Sequence, residues 1–130
     1  VAYLLDTSVL VELLRSSPPP PLVRRLSQVP TRERWTSVVT VSQLLIAARA
    51  EDDPRLMQNV VSLVAAIRVA PYDLAAAQVF ARFKSKLESD AETDDVMIAA
   101  IASSRNHTLV TRRVELFSSF VKLRIEDWTS

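Results

Sequence analysis

The chain has 130 residues, 48% of them apolar and 24% charged, with a formal net charge of +1. That length suits one domain over residues 1–130, the composition is that of a folded globular protein, and the charge neither demands nor excludes a nucleic-acid partner. There is no cysteine, hence no disulfide or thiolate metal centre; a reducing, cytoplasmic setting is expected, and no apolar run approaches the roughly 20 residues that span a bilayer. There is also no glycine, so turns must avoid positive φ or place Asn, Asp or Ser there.

Residues 1–5 form a short, continuous apolar run, which reads as a buried strand. The run stops at Asp6-Thr7-Ser8. SVLVELL at 8–14 follows as a helix, with Asp6 or Thr7 as its N-cap. SSPPPP at 16–21 is a stiff, extended break, and a short helix is expected from Leu22 to Gln28. WTSVV at 35–39 reads as a second strand and TVSQLLIAARA at 40–50 as a helix capped by Thr40. Glu51-Asp52-Asp53 is a solvated loop, and Pro54 suits the first turn of a helix running from Arg55 to Ile67. RVA at 68–70 is strand-like. Pro71, Tyr72 and Asp73 open a long amphipathic helix over about 74–88, and SDAET is a polar loop. DDVMIAAIASS at 94–104 reads as a helix with acids in its first turn, where the helix dipole favours them. HTLVT at 107–111 is a strand, VELFSSF at 114–120 a short helix, and KLRIEDW a last strand-like piece.

Strands alternating with helices predict a three-layer α/β/α sandwich around a mainly parallel sheet. In such sheets ligands bind outside the carboxyl ends of the strands, where Asp6 falls. Thr40, Ser42 and Gln43 begin the helix after the second strand, and Asp94 and Asp95 begin another; all can meet Asp6 at that edge. Carboxylates held together need a cation among them or raised pKa values. A hard divalent ion takes oxygen ligands, lowers the pKa of bound water and stabilises a phosphodiester transition state. Taken singly, Asp6 reads as an N-cap, Asp94 and Asp95 as first-turn acids, and Thr7, Ser8 and Thr40 as capping or turn residues. His107, the only histidine, reads as a turn residue without a catalytic part.

LLDTSVLVELL, TVSQLLIAA, DDVMIAAIA, TLVT and LRIEDW, in that order and at those intervals, resemble a PIN domain of the VapC-like toxin type. The resemblance implies an Mg²⁺- or Mn²⁺-dependent endoribonuclease, an antitoxin partner and a homodimer. It implies that Asp6 and Asp95 hold the metal and carry catalysis, with Asp94, Gln43, Thr7, Ser8, Thr111 and Arg113 in support. Thr7 or Ser8 would position water or phosphate. Gln43 stands where the family usually has Glu, and Arg113 where it often has Asp or Asn. These departures favour one metal over two and open an alternative: a degenerate, non-cleaving domain that binds RNA or a protein. Arg113, with its neighbour Arg112, is then a candidate phosphate contact. Other acidic phosphoryl-transfer folds fit less well, since Ser8 stands where a haloacid-dehalogenase-like site needs Asp.

Overall fold

The computed structural model describes residues 1–86 and 91–130. The expected helix end at 87–88 and the start of the polar loop at 89–90 lie outside the described residues.

β1 (Tyr3–Leu5) leads into α1 (Thr7–Leu13), and Asp6 is the N-cap that joins them. α2 spans Pro20–Ser27, so the last two prolines of the run lie inside a helix rather than before it. Proline is tolerated there because the first-turn N–H groups have no intrahelical partner. A short 3-10 turn, Thr31–Glu33, precedes β2 (Arg34–Ser37). α3 (Val38–Glu51) is capped by Ser37, whose side chain accepts from the Thr40 N–H. The expected cap, Thr40, is therefore the third helical residue, and the strand ends at 37 rather than 39. The apolar pair Val38-Val39 hid the boundary because β-branched residues fit a strand as well as a helix.

α4 (Pro54–Ala65) is capped by Asp53, β3 is Arg68–Ala70, and α5 is Leu74–Lys86. Then come α6 (Thr93–Ser104), β4 (Thr108–Val110), α7 (Val114–Phe117) and β5 (Ile125–Glu126). The left-handed positions that glycine would fill are taken by Asp52, Asn106 and Lys122, at φ 50°, 58° and 66°. The first two are residue types that tolerate this conformation; Lys122 is not.

The five strands pair in the order β3-β2-β1-β4-β5, all parallel. Adjacent residues of each central strand face opposite sides of the sheet. Leu4 and Leu109 pack with Val96, Ile98, Ile101 and Phe117 of α6 and α7. Leu5 and Val110 pack with Leu10, Leu22, Leu44 and Val60 of α1 to α4. Two apolar cores thus sandwich the sheet, which explains why its strands read as continuous apolar runs. The chain leaves β1 toward β2 on one side and returns to β4 on the other. The switch point of the topology lies between β1 and β4, immediately beyond Leu5 and Val110.

Candidate active site

Asp6 occupies that switch point. Its N–H donates to the Val110 carbonyl at 3.0 Å, continuing the β1–β4 ladder by one step. The residue is 2% exposed. Oδ1 accepts from the Ser8 hydroxyl at 2.7 Å and the Val9 N–H at 3.2 Å, and Oδ2 accepts from the Thr111 hydroxyl at 2.6 Å. Burial pushes the Asp6 carboxyl above its ordinary range; the donors Thr111, Ser8 and Val9 and the charge of Arg113 oppose it only in part. Asp6 is a helix cap, as the sequence predicts, and it is also a desolvated acid at the mouth of the sheet.

Thr111 ends β4 on the same edge. Besides donating to Asp6, its Oγ1 accepts the Arg113 N–H at 2.9 Å. Arg113 then reaches across to α6, where its two terminal nitrogens donate to the two oxygens of Asp95 at 2.9 and 3.1 Å. Asp95 is buried in the first turn of α6, while Asp94 beside it is exposed. Asp6 and Asp95 are thereby linked through Thr111 and Arg113.

A second chain of contacts closes the edge. The Thr7 hydroxyl donates to Gln43 Oε1 and lies 3.2 Å from Thr40 Oγ1. Gln43 Nε2 donates to Asp94 Oδ2 at 3.0 Å. Gln43 thereby ties α1 to α6. Gln43, Thr93, Asp94, Asp95 and Arg113 line a cavity of about 340 Å³, together with Glu92. Ser42 does not join them: its hydroxyl bonds back to the Val38 carbonyl.

Arg112 is not a free phosphate contact. It pairs with Glu12, which also accepts from Arg15 at 2.6 Å. The Arg15 hydrogen bond, with both guanidinium charges, holds the Glu12 carboxyl below its usual range. Glu12 was not foreseen as part of this edge. Its signal was an acid inside the apolar run VLVELL, and a buried acid there needs a cationic partner. His107 is likewise no simple turn residue: it is 8% exposed, with its ring centroid 5.3 Å from that of Trp35.

Residues 3–113 match the PIN domain family. In fold the chain is similar to a chain of VapBC-1 from nontypeable Haemophilus influenzae, at 23% identity, with 100% of each chain covered and a TM-score of 0.90. It is similar also to a chain of DNA-bound VapBC from Salmonella typhimurium, at 25% identity over 98% of each chain, with a TM-score of 0.85. The sarcin-ricin loop cleaving toxin VapC20 of Mycobacterium tuberculosis is 15% identical, with 95% of this chain and 99% of that chain covered and a TM-score of 0.69. No curated protein matches the chain. A parallel sheet ordered 3-2-1-4-5, an aspartate closing its central strand and a family match over most of the sequence lead to one conclusion: the chain belongs to the PIN domain family.

Proposed function

We propose that this chain is the endoribonuclease toxin of a toxin–antitoxin pair, cutting RNA phosphodiester bonds at the edge formed by Asp6 and Asp95 with one Mg²⁺ or Mn²⁺ ion. The observation that carries this reading is the pair of buried carboxylates joined through Thr111 and Arg113 at the switch point of the sheet.

The donor set fits a single hard cation. It consists of carboxylate and amide oxygens, and Asp95 is already organised around a positive charge, the half-exposed Arg113 guanidinium. Among the described residues no three acidic, histidine or cysteine side chains gather into a group that could hold a metal ion, so one ion would have to rest on two carboxylates with water completing its shell, and a second has no ligands. Asp6 and Asp95 would hold the ion, with Gln43 Oε1 and Asp94 beside it. Once bound, such an ion supplies an activated water and neutralises charge on the phosphoryl oxygens.

The chain's own residues do the rest. Ser8, the Val9 N–H and Thr111 fix both oxygens of Asp6, and Thr7 fixes the Gln43 carbonyl, so the acidic edge is preorganised. Arg113, once released from Asp95, offers its planar fork to the scissile phosphate. The VapBC neighbours support an antitoxin partner for this chain. Exposed Ile46 and Leu74 give it apolar surface for such a partner or for a second copy in a homodimer.

One observation favours the second reading, a non-cleaving PIN domain: Arg113 already neutralises Asp95. Incubation of the chain with RNA and Mn²⁺ separates the two. Cleavage that stops with EDTA, with Asp6→Asn and with Asp95→Asn supports the nuclease. Intact RNA with the native chain, but cleavage after Gln43→Glu and Arg113→Asp together, supports the degenerate domain. Cleavage that persists in both aspartate variants removes the site from the reaction.

A further inference from the structure

The end of the sheet opposite Asp6 carries the opposite charge. Arg34 opens β2 and Arg68 opens β3, while Arg105 follows α6 and Arg124 precedes β5. All the strands are parallel, so these residues gather at the amino ends of the strands. Two of them meet at Trp35. The Arg105 guanidinium lies 4.6 Å from its ring centroid and that of Arg68 lies 5.5 Å away. Arg124 is steered to the same edge by hydrogen bonds to the Asn106 carbonyl at 2.7 Å and the Thr108 hydroxyl at 3.4 Å.

Among the described residues, none of these arginines has a carboxylate within salt-bridge distance. Glu33, the acid next to Arg34 in sequence, pairs with Arg32 at 3.8 Å. Two buried nitrogens in the cluster, Arg105 Nε and His107 Nδ1, also lack a hydrogen-bond partner. Stacking one arginine on Trp35 would suffice to cover the ring. A second arginine on the ring, and two more at the same end of the sheet that donate only to neutral oxygens (Arg34 to the Val29 carbonyl at 2.8 Å, Arg124 to Asn106 and Thr108), cost self-repulsion that covering Trp35 does not require. The chain as a whole is nearly neutral, at +1, so this is a segregation of charge rather than a general excess.

We infer that Arg68 and Arg105 on Trp35, with Arg34 and Arg124 on the other face of the same end of the sheet, form a second RNA-backbone contact surface, at the end away from the acidic edge, that binds the flanking phosphates of a folded or extended RNA. Arginine forks match phosphate oxygens, and each contact releases counterions. The choice of RNA as the polyanion rests on the nuclease reading; the charge segregation does not. A substrate that reaches both ends of the sheet would be held by its backbone at one and cut at the other. A tetranucleotide seated at Asp6 has fewer phosphates with which to reach the arginines than a longer RNA.

The test is anisotropy of a labelled stem-loop RNA and a labelled tetranucleotide in EDTA, where no cutting interferes, over a range of salt concentrations. Replacing Arg68 and Arg105 together by Ala is expected to weaken stem-loop binding about tenfold or more and to lower the salt slope by about 2, one for each lost phosphate contact. Tetranucleotide binding should weaken less than stem-loop binding, and Arg68→Lys with Arg105→Lys should keep most of the slope. Arg124→Glu leaves the Trp35 stack in place and should show a similar loss, which guards against a folding artefact. An unchanged stem-loop affinity and slope in these variants overturns the inference. So does failure of the native chain to bind the stem-loop, or equally tight binding of polyglutamate. The outcomes stay separable: binding with this slope but no cutting in Mn²⁺ defeats the nuclease reading alone, and cutting without the slope defeats this one alone.

Discussion

The carboxylate of Asp95 accepts both terminal nitrogens of Arg113, at 2.9 and 3.1 Å, so a cationic side chain already stands against the acid proposed to hold a metal. The pair is asymmetric, since the Asp95 side chain is 8% exposed and that of Arg113 is 49% exposed. Removing Arg113 leaves a buried charge without its partner. Arg113→Ala should therefore destabilise the metal-free protein by about 1–2 kcal/mol, less than for a fully buried pair because Arg113 is half in solvent. Mn²⁺ should restore the loss and bind more tightly than to the native chain. Thermal denaturation with and without Mn²⁺ checks both; a metal shift no larger than that of the native protein would show that the guanidinium and the ion do not compete.

Asp6 is a cost to the fold. Burial raises its carboxyl pKa, so the folded state holds the proton more tightly than the unfolded chain, whose ordinary value is 3.8. Stability from this group is therefore fully present below 3.8 and is lost as pH rises through the raised folded value. Asp6→Asn should stabilise the protein at neutral pH by about 1 kcal/mol, the usual scale for relieving a functional site, while abolishing activity. Denaturant melts at pH 7 and near pH 3.5 should show the gain shrinking at low pH; a destabilised Asn variant at pH 7 would contradict it.

Gln43 is an uncharged side chain at an edge that already carries Asp6, Asp94 and Asp95. Gln43→Glu retains an acceptor for the Thr7 hydroxyl but replaces the Nε2 donor to Asp94 with like-charge repulsion. The metal-free protein should lose a few tenths of a kcal/mol. Mn²⁺ affinity should rise about tenfold or more, the scale on which groups around a metal tune it. Calorimetric titration measures the change, and an unaltered affinity would place Gln43 outside the ion's surroundings.

The fold was readable in the sequence because buried parallel strands are continuous apolar runs, and Asp6 ends the first of them where the helix begins. Boundaries slipped where one residue type serves two structures. Val38 and Val39 suit a strand and a helix alike, and Pro20 and Pro21 break a helix but also begin one. The carboxylates of the site were legible as strand and helix ends. What they bond to was not, because Asp95–Arg113 and Gln43–Asp94 are contacts between separate elements that only the folded register creates. Glu12 and the Trp35 cluster were missed for the same reason. Their partners Arg112, Arg68 and Arg105 are distant in sequence.

His107 offers a pH prediction of the opposite sign to that of Asp6. Burial, followed by the charge of Arg105, pushes its pKa from 6.5 down to about 4. The folded state holds it neutral, while the unfolded chain protonates it as pH falls below 6.5; its contribution to stability is therefore lost between 6.5 and about 4. It is the only histidine, so its ring resonances need no assignment by mutation. Their chemical shifts in an NMR titration should stay those of a neutral imidazole at pH 5.5. A midpoint near 6.5 would mean that the ring is solvated rather than packed on Trp35.

The central claim is that Asp6 and Asp95 share one divalent ion. Mn²⁺ titration of the native chain, followed by electron paramagnetic resonance, tests it most directly. One bound ion per chain, lost in Asp6→Asn and again in Asp95→Asn while both variants remain folded, is the predicted result. Binding that survives either substitution unchanged, or no bound Mn²⁺ in either the native chain or the Arg113→Ala variant, contradicts it.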